Sequence, residues 1–165
     1  RRHLAGLTAG RQTGPMAVLM VDADHFKQVN DKFGHATGDK ALRLIADTLR
    51  ANTRVFDSLA RYGGEEFVVV MPDTDVGFAY SVAERLRQSI ESVPFAISRA
   101  PHKLNVTASI GIAAFPADGV EAHELLAKAD RAMYAQKAAS PRIRPFLASG
   151  RIWPTATPLP KPLIN

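Results

Sequence analysis

The chain has 165 residues, 46% of them hydrophobic, and carries a net charge of +5 with a pI near 9.8. That length and apolar content suit one domain with a core of its own; no apolar run reaches membrane-span length and no secretory pattern opens the chain, so the expectation is a cytoplasmic protein. The lack of cysteine excludes disulfides, thiolate metal sites and thiol catalysis; Arg142, Arg144, Arg151 and Lys161 leave residues 1–140 a charge of only +1, with no basic stripe to support nucleic-acid binding.

In chain order, the apolar run Met16 to Val21 reads as a strand that ends abruptly in Asp22, Ala23 and Asp24. Phe26, Val29 and Phe33 share a helical face after it, and Leu42, Ile45, Ala46 and Leu49 form another behind Gly38 and Asp39. Taken alone, Asp39 reads as a helix cap. Ser58 to Tyr62 is a short extended segment, Gly63 and Gly64 fit a hairpin tip, and Phe67 to Met71 reads as a mostly buried strand. A helix is expected from about Val76 to Ile90, with Asp75 as its cap and Ala79, Val82, Ala83, Leu86 and Ile90 facing inward. Leu104 to Phe115 reads as one strand, and a last helix, about Ala122 to Ala138, buries Leu125, Leu126, Ala129 and Met133. Six of the eleven prolines fall in residues 141–165, which makes continuous helix or central strand improbable there and suggests an appended or disordered tail after a domain of residues 1–140. The alternation of helix and strand is that of an α/β domain.

The chemistry concentrates at Gly63-Gly64-Glu65-Glu66. Glycines allow positive φ in a tight turn, and they also let a phosphate approach the backbone. Two adjacent acids at a hairpin tip repel each other unless a cation or proton lies between them. Asp22 with Glu65 would supply the hard oxygen ligands that Mg²⁺ prefers, a pairing found in two-metal nucleotidyl transfer.

These residues resemble the GGDEF domains, the diguanylate cyclases that join two GTP molecules into cyclic di-GMP. The resemblance runs from about Arg1 to about Lys137. It is carried by Arg61-Tyr62-Gly63-Gly64-Glu65-Glu66-Phe67, the variant with Glu at the third signature position, and by Asp22-Ala23-Asp24-His25-Phe26-Lys27, Asn30-Asp31, Phe33-Gly34-His35 and Gly38-Asp39. Ser109-Ile110-Gly111 and Ala129-Asp130-Arg131-Ala132-Met133-Tyr134 continue it. The chain departs from the family at both ends: the entry motif is absent apart from Arg1-Arg2, and Ala139-Ser140-Pro141 replaces a Gly-Arg-Asn turn and closing strand.

The resemblance implies a palm-like nucleotidyl-cyclase fold of the α/β (α+β) class, a mixed central sheet of about five strands flanked by helices. It implies two Mg²⁺ ions, with Mn²⁺ as a substitute, held by Asp22, the Ala23 carbonyl, Glu65 and Glu66, with Glu65 also a proton acceptor. For Glu66 the roles of metal ligand, proton acceptor and support of Glu65 stay open. Lys27 and Lys137 become phosphate clamps, Asn30 and Asp39 readers of guanine, His35 a substrate contact, and Gly63 and Gly64 part of the GTP site. Because one domain holds one GTP, a second copy must face it, and an upstream regulatory module is expected to bring the two together. Arg54 and Asp57, with five residues between Asp57 and Gly63, match the family's product-inhibition site, with Arg85 as the secondary clamp. Three alternatives stay in view: a catalytically silent module that binds GTP or cyclic di-GMP, a protein-interaction module using the proline-rich tail, and a different nucleotide cyclase.

Overall fold

The computed structural model describes residues 14–96, 103–139 and 146–148, and the side chains of Phe95, Ala96 and Phe146 lie outside that description. Strand β1 (Met16–Ala23) is buried along its whole length, apolar throughout except at Asp22. It lies at the centre of a five-stranded sheet of order β2-β3-β1-β6-β7, formed with β2 (Ser58–Arg61), β3 (Glu66–Pro72), β6 (Ala108–Phe115) and β7 (Phe146–Leu147). All pairings are antiparallel except β6 with β7, so the sheet is mixed, as expected. A two-stranded ribbon, β4 (Phe95–Ala96) with β5 (Lys103–Leu104), stands apart from it.

Helices cover both faces, and strand alternation decides which residues meet them. Ala17, Leu19, Val21, Val69, Met71, Ile110 and Ile112 pack with α2 (His35–Asn52) and α3 (Val76–Ser92). Met16, Val18, Met20, Val68, Val70 and Ala113 pack instead with Leu125, Ala129 and Met133 of α4 (Ala122–Ala139). Helix α1 (Phe26–Phe33) follows β1 directly, with Val29 buried. Helix α4 lies so close to the sheet that a Cβ at Gly111 would stand 2.1 Å from the Ala129 carbonyl oxygen and 2.3 Å from the Met133 amide nitrogen. Gln136, fully buried on the same helix, accepts a hydrogen bond from the Ile110 amide. Those two contacts fix the register of α4 on β6.

The expected inward faces of α3 and α4 are buried, Leu126 only in part, and Asp75 caps α3 by accepting from the Phe78 amide at 2.8 Å. Three expectations are corrected. The strand expected over Leu104 to Phe115 is broken at residues 105–107, because Thr107 turns to Asp24: its carbonyl accepts from the Asp24 amide at 2.9 Å and its hydroxyl donates to Asp24 Oδ2 at 2.8 Å. Helix α2 begins at His35 and not behind Asp39, since Gly34, at φ 87°, closes α1 and opens α2 at once. Asp39 is therefore inside the helix and caps nothing. Residues 146–147 extend the sheet from within the proline-rich stretch, a strand that the proline count hid; residues 149–165 lie outside the described residues.

Candidate active site

Asp22 shares parity with Val18 and Met20, so its side chain faces α4, where it is 4% exposed. The β1–β3 register sets it opposite Glu66. Glu66 and Asp22 interact side chain to side chain, which favours a proton on Glu66. Burial first, then the charges of Asp22 and Asp130, push its carboxyl above the usual carboxylate range. Glu65 stands one residue beyond the strand, and its carbonyl accepts from the Ala23 amide at 3.2 Å. Its carboxyl is raised by burial and by Asp22, with Lys137 pulling the other way. Burial also raises Asp22, against the opposing hydrogen bond and charge of Lys137. All three acids are thus displaced upward, with burial the largest cause in each.

Lys137 supplies the cation that is present. From α4 its ammonium donates to Asp22 Oδ1 and lies 3.4 Å from the Ala23 carbonyl oxygen. A carboxylate and a carbonyl from adjacent residues therefore already converge on one positive group, so the donor set fits a hard cation. Among the described residues no three His, Cys, Asp or Glu side chains form a metal-holding group by themselves. A Mg²⁺ ion would fit this site only with water and substrate phosphate completing its shell, which is its usual habit.

The hairpin tip is built differently from the expectation. Neither Gly63 nor Gly64 has a positive φ, so the turn does not need glycine for its backbone angles. Space is the reason for Gly63, where a Cβ would stand 2.9 Å from Glu66 Oε2. A Cβ on Gly64 would meet nothing within 4 Å, which leaves that face of the tip open. Arg61 straps the tip from β2, donating to the Gly64 carbonyl at 2.6 Å and to the Gly63 carbonyl at 3.3 Å. Asp24, buried behind Asp22, is held by the hydroxyls of Thr107 and Ser109, the latter at 2.6 Å. Neither Arg61 nor Asp24 had been assigned a role from sequence; strap and anchor depend on which residues the fold brings to them.

Asn30, on α1, abuts the start of α2: its Oδ1 is buried without a hydrogen-bond partner and sits where a Cβ on Gly38 would be, 1.8 Å away. Asp39, the next residue, is exposed and lines an open groove of about 850 Å³ between α2 and β2. Arg43, Arg50, Arg54, Asp57 and Arg61 line the same groove. Lys27 and His35 are exposed in the first turns of α1 and α2, and neither makes a hydrogen bond or ion pair among the described residues. Asp22, Ala23, Glu65, Glu66 and Lys137 are thus brought together, while Lys27 and His35 make no hydrogen bond or ion pair with them.

Arg54 and Asp57 form an ion pair at 2.9 Å, with Asp57 1% exposed. The Arg54 guanidinium also donates to the Pro72 carbonyl at 3.2 Å and to the Thr74 hydroxyl, and it stacks 4.4 Å from the centre of the Phe56 ring. Arg85 caps the end of α2, donating to the Asn52 side chain and carbonyl, both at 3.2 Å. The turn is therefore a folded clip between α2, β2 and the β3–α3 connection.

Residues 4–142 match the family described as "Diguanylate cyclase, GGDEF domain". Response regulator PleD of Caulobacter vibrioides is 45% identical over 124 residues, 75% of this chain and 27% of PleD. Diguanylate cyclase A of Treponema denticola is 40% identical over 130 residues, 79% of this chain and 34% of that protein. The chain thus spans about a third or less of the curated relatives it matches. The GGDEF domain of DgcB from Caulobacter crescentus, solved in complex with c-di-GMP, superimposes with a TM-score of 0.78 at 29% identity, covering 90% of this chain and 85% of that one. On sequence and on fold alike, the chain belongs to the GGDEF family of diguanylate cyclase domains.

Proposed function

We propose that this domain condenses two GTP molecules into cyclic di-GMP, releasing pyrophosphate at each of two steps. The observation that carries the reading is the meeting of Asp22, the Ala23 carbonyl, Glu65 and Glu66 beside an open glycine tip, with all three carboxyls raised, by burial above all. Two Mg²⁺ ions, or Mn²⁺, bound there would lower the pKa of a 3′-hydroxyl and offset charge on the attacked α-phosphate. Glu65 takes the hydroxyl proton, and Glu66 serves as the second acid of the metal site. Asn30 accepts from the guanine edge and so gains the partner its buried oxygen lacks, while Asp39 accepts from the remaining N–H groups. Lys27 and Lys137 hold phosphates, and His35 contacts the nucleotide at the α1–α2 junction.

Each domain presents one GTP, so the 3′-oxygen of one must attack the α-phosphorus of the other across two facing copies. The relatives' greater length is compatible with an upstream module that brings copies together. Product feedback is assigned to Arg54 and Asp57, with Arg85 alongside. DgcB's domain, solved with c-di-GMP, supports the ligand class. Arg54 would grip the product's phosphate or guanine while Asp57 reads the guanine edge, so Arg54→Ala should relieve inhibition; an unchanged inhibition curve would make the clip structural only.

The test is incubation of concentrated domain with GTP and Mg²⁺, beside a version fused to a dimerising helix, followed by chromatography for cyclic di-GMP and pyrophosphate. Glu65→Gln should lower turnover on the order of 10²-fold or more with GTP binding largely intact. Silence from both wild-type forms, with GTP still bound, would leave a nucleotide-binding module in place of the enzyme.

A further inference from the structure

We infer that the Lys137 ammonium is the resident counter-cation of the metal site, holding the Asp22 carboxylate and the Ala23 carbonyl until a metal displaces it toward the nucleotide phosphates. The inference rests on the metal reading proposed above and gives one lysine two successive partners.

A carboxylate as buried as Asp22, 4% exposed, needs a cation or a proton close by. Lys137 meets that need from a side chain 28% exposed, reaching both oxygens that the metal reading assigns to β1. The two cations exclude each other. A Mg²⁺ ion binds carboxylate oxygen at about 2.0–2.1 Å, and an ammonium hydrogen-bonded to the same oxygen would then face a divalent charge at close range. Entry of the metal therefore requires Lys137 to let go.

Where it goes is limited by its helix. Gln136 is bonded to Ile110 and the α4 backbone lies against Gly111, so the base of the Lys137 side chain stays fixed over the end of β1. Only its flexible four-carbon stem is free to swing, and a mobile point charge suits phosphate. Without nucleotide, Lys137 competes with metal. With nucleotide, the released ammonium gains a phosphate partner and the competition becomes cooperation. Metal and GTP are then linked, each raising the affinity of the other by the same factor.

The experiment is Mn²⁺ binding to the whole domain without nucleotide, read by electron paramagnetic resonance, for the wild type, Lys137→Met and Asp22→Asn. Lys137→Met should bind Mn²⁺ about tenfold more tightly than the wild type, as expected for removing a half-buried competing charge. With a non-hydrolysable GTP analogue present the order should reverse, because the variant lacks the phosphate partner. Lys137→Met should also melt earlier in chelator and recover more on adding Mn²⁺. If it does not fold, Lys137→Gln, which keeps a donor without the charge, carries the same comparison. Equal or weaker Mn²⁺ binding by the Lys137 variant, with Asp22→Asn impaired, overturns the inference and leaves the metal site standing. Undiminished binding by Asp22→Asn overturns both.

Discussion

Gly38 shapes the proposed nucleotide pocket through what it leaves out. A Cβ at this position would stand 1.8 Å from Asn30 Oδ1, 2.9 Å from its carbonyl carbon and 3.2 Å from the Phe26 ring. Gly38→Ala must therefore drive the Asn30 amide away, although the helical backbone at residue 38 accepts alanine readily. The expected result is a folded protein whose GTP affinity falls roughly tenfold, the cost of about one hydrogen bond to a buried acceptor, with narrower preference for GTP over ATP. Calorimetry with both nucleotides reads it directly; an unchanged preference would remove Asn30 from guanine reading. The acids at 22, 65 and 66 could be singled out in the sequence by chemical type, and the fold does bring them together. Asp24 was not, because its partners Thr107 and Ser109 lie 83 and 85 positions away.

Elements with strong periodicity were equally legible: β1, β3, α3 and α4 occur where the apolar pattern puts them. The errors fall where a long-range contact overrides local pattern. Thr107 leaves the strand for Asp24, and β7 is built from a proline-rich segment because the edge of β6 offers it partners at Gly111 and Ile112. Neither event is written in hydrophobic spacing. Gln136 is a further long-range contact, a polar residue outside the helix's apolar pattern that is fully buried against β6. Gln136→Leu keeps the bulk but leaves the buried Ile110 amide without its acceptor, so it should cost about 1–3 kcal/mol in urea unfolding. Loosening the helix register should also weaken the hold of Lys137 on Asp22. A variant as stable as the wild type would show that the amide finds another partner and that close packing at Gly111 alone positions α4.

At the scale of the whole molecule, the candidate-site end of the sheet is where folding buries three carboxyls beside a single lysine. Asp22, Glu65 and Glu66 all have carboxyls raised above their ordinary values, by burial first in each case, then by Asp24 for Asp22 and by Asp22 for the two glutamates. A group whose pKa is higher folded than unfolded binds protons on folding, so its stabilising share is complete below the unfolded value, near pH 4, and is lost as pH rises through the folded value. Glu124 works in the opposite sense, lowered by the Val120 and Glu121 amides, so its share is already complete above the ordinary carboxylate range. In chelator, the melting temperature should therefore fall as pH rises above the unfolded carboxylate range. Asp22→Asn should flatten that fall by removing the charge at the centre of the cluster. Saturating Mg²⁺ should oppose it as well, since a ligand that binds only the folded state at about a hundred times its dissociation constant stabilises by about 2.7 kcal/mol. Scanning calorimetry across that pH range, with and without Mg²⁺, separates the cases. A pH-independent melting temperature in chelator would mean that Lys137 alone neutralises the cluster, leaving no deficit for a metal to fill. A fall that Mg²⁺ corrects would mean that the domain is folded around a charge it must borrow, the condition under which metal and nucleotide arrive together.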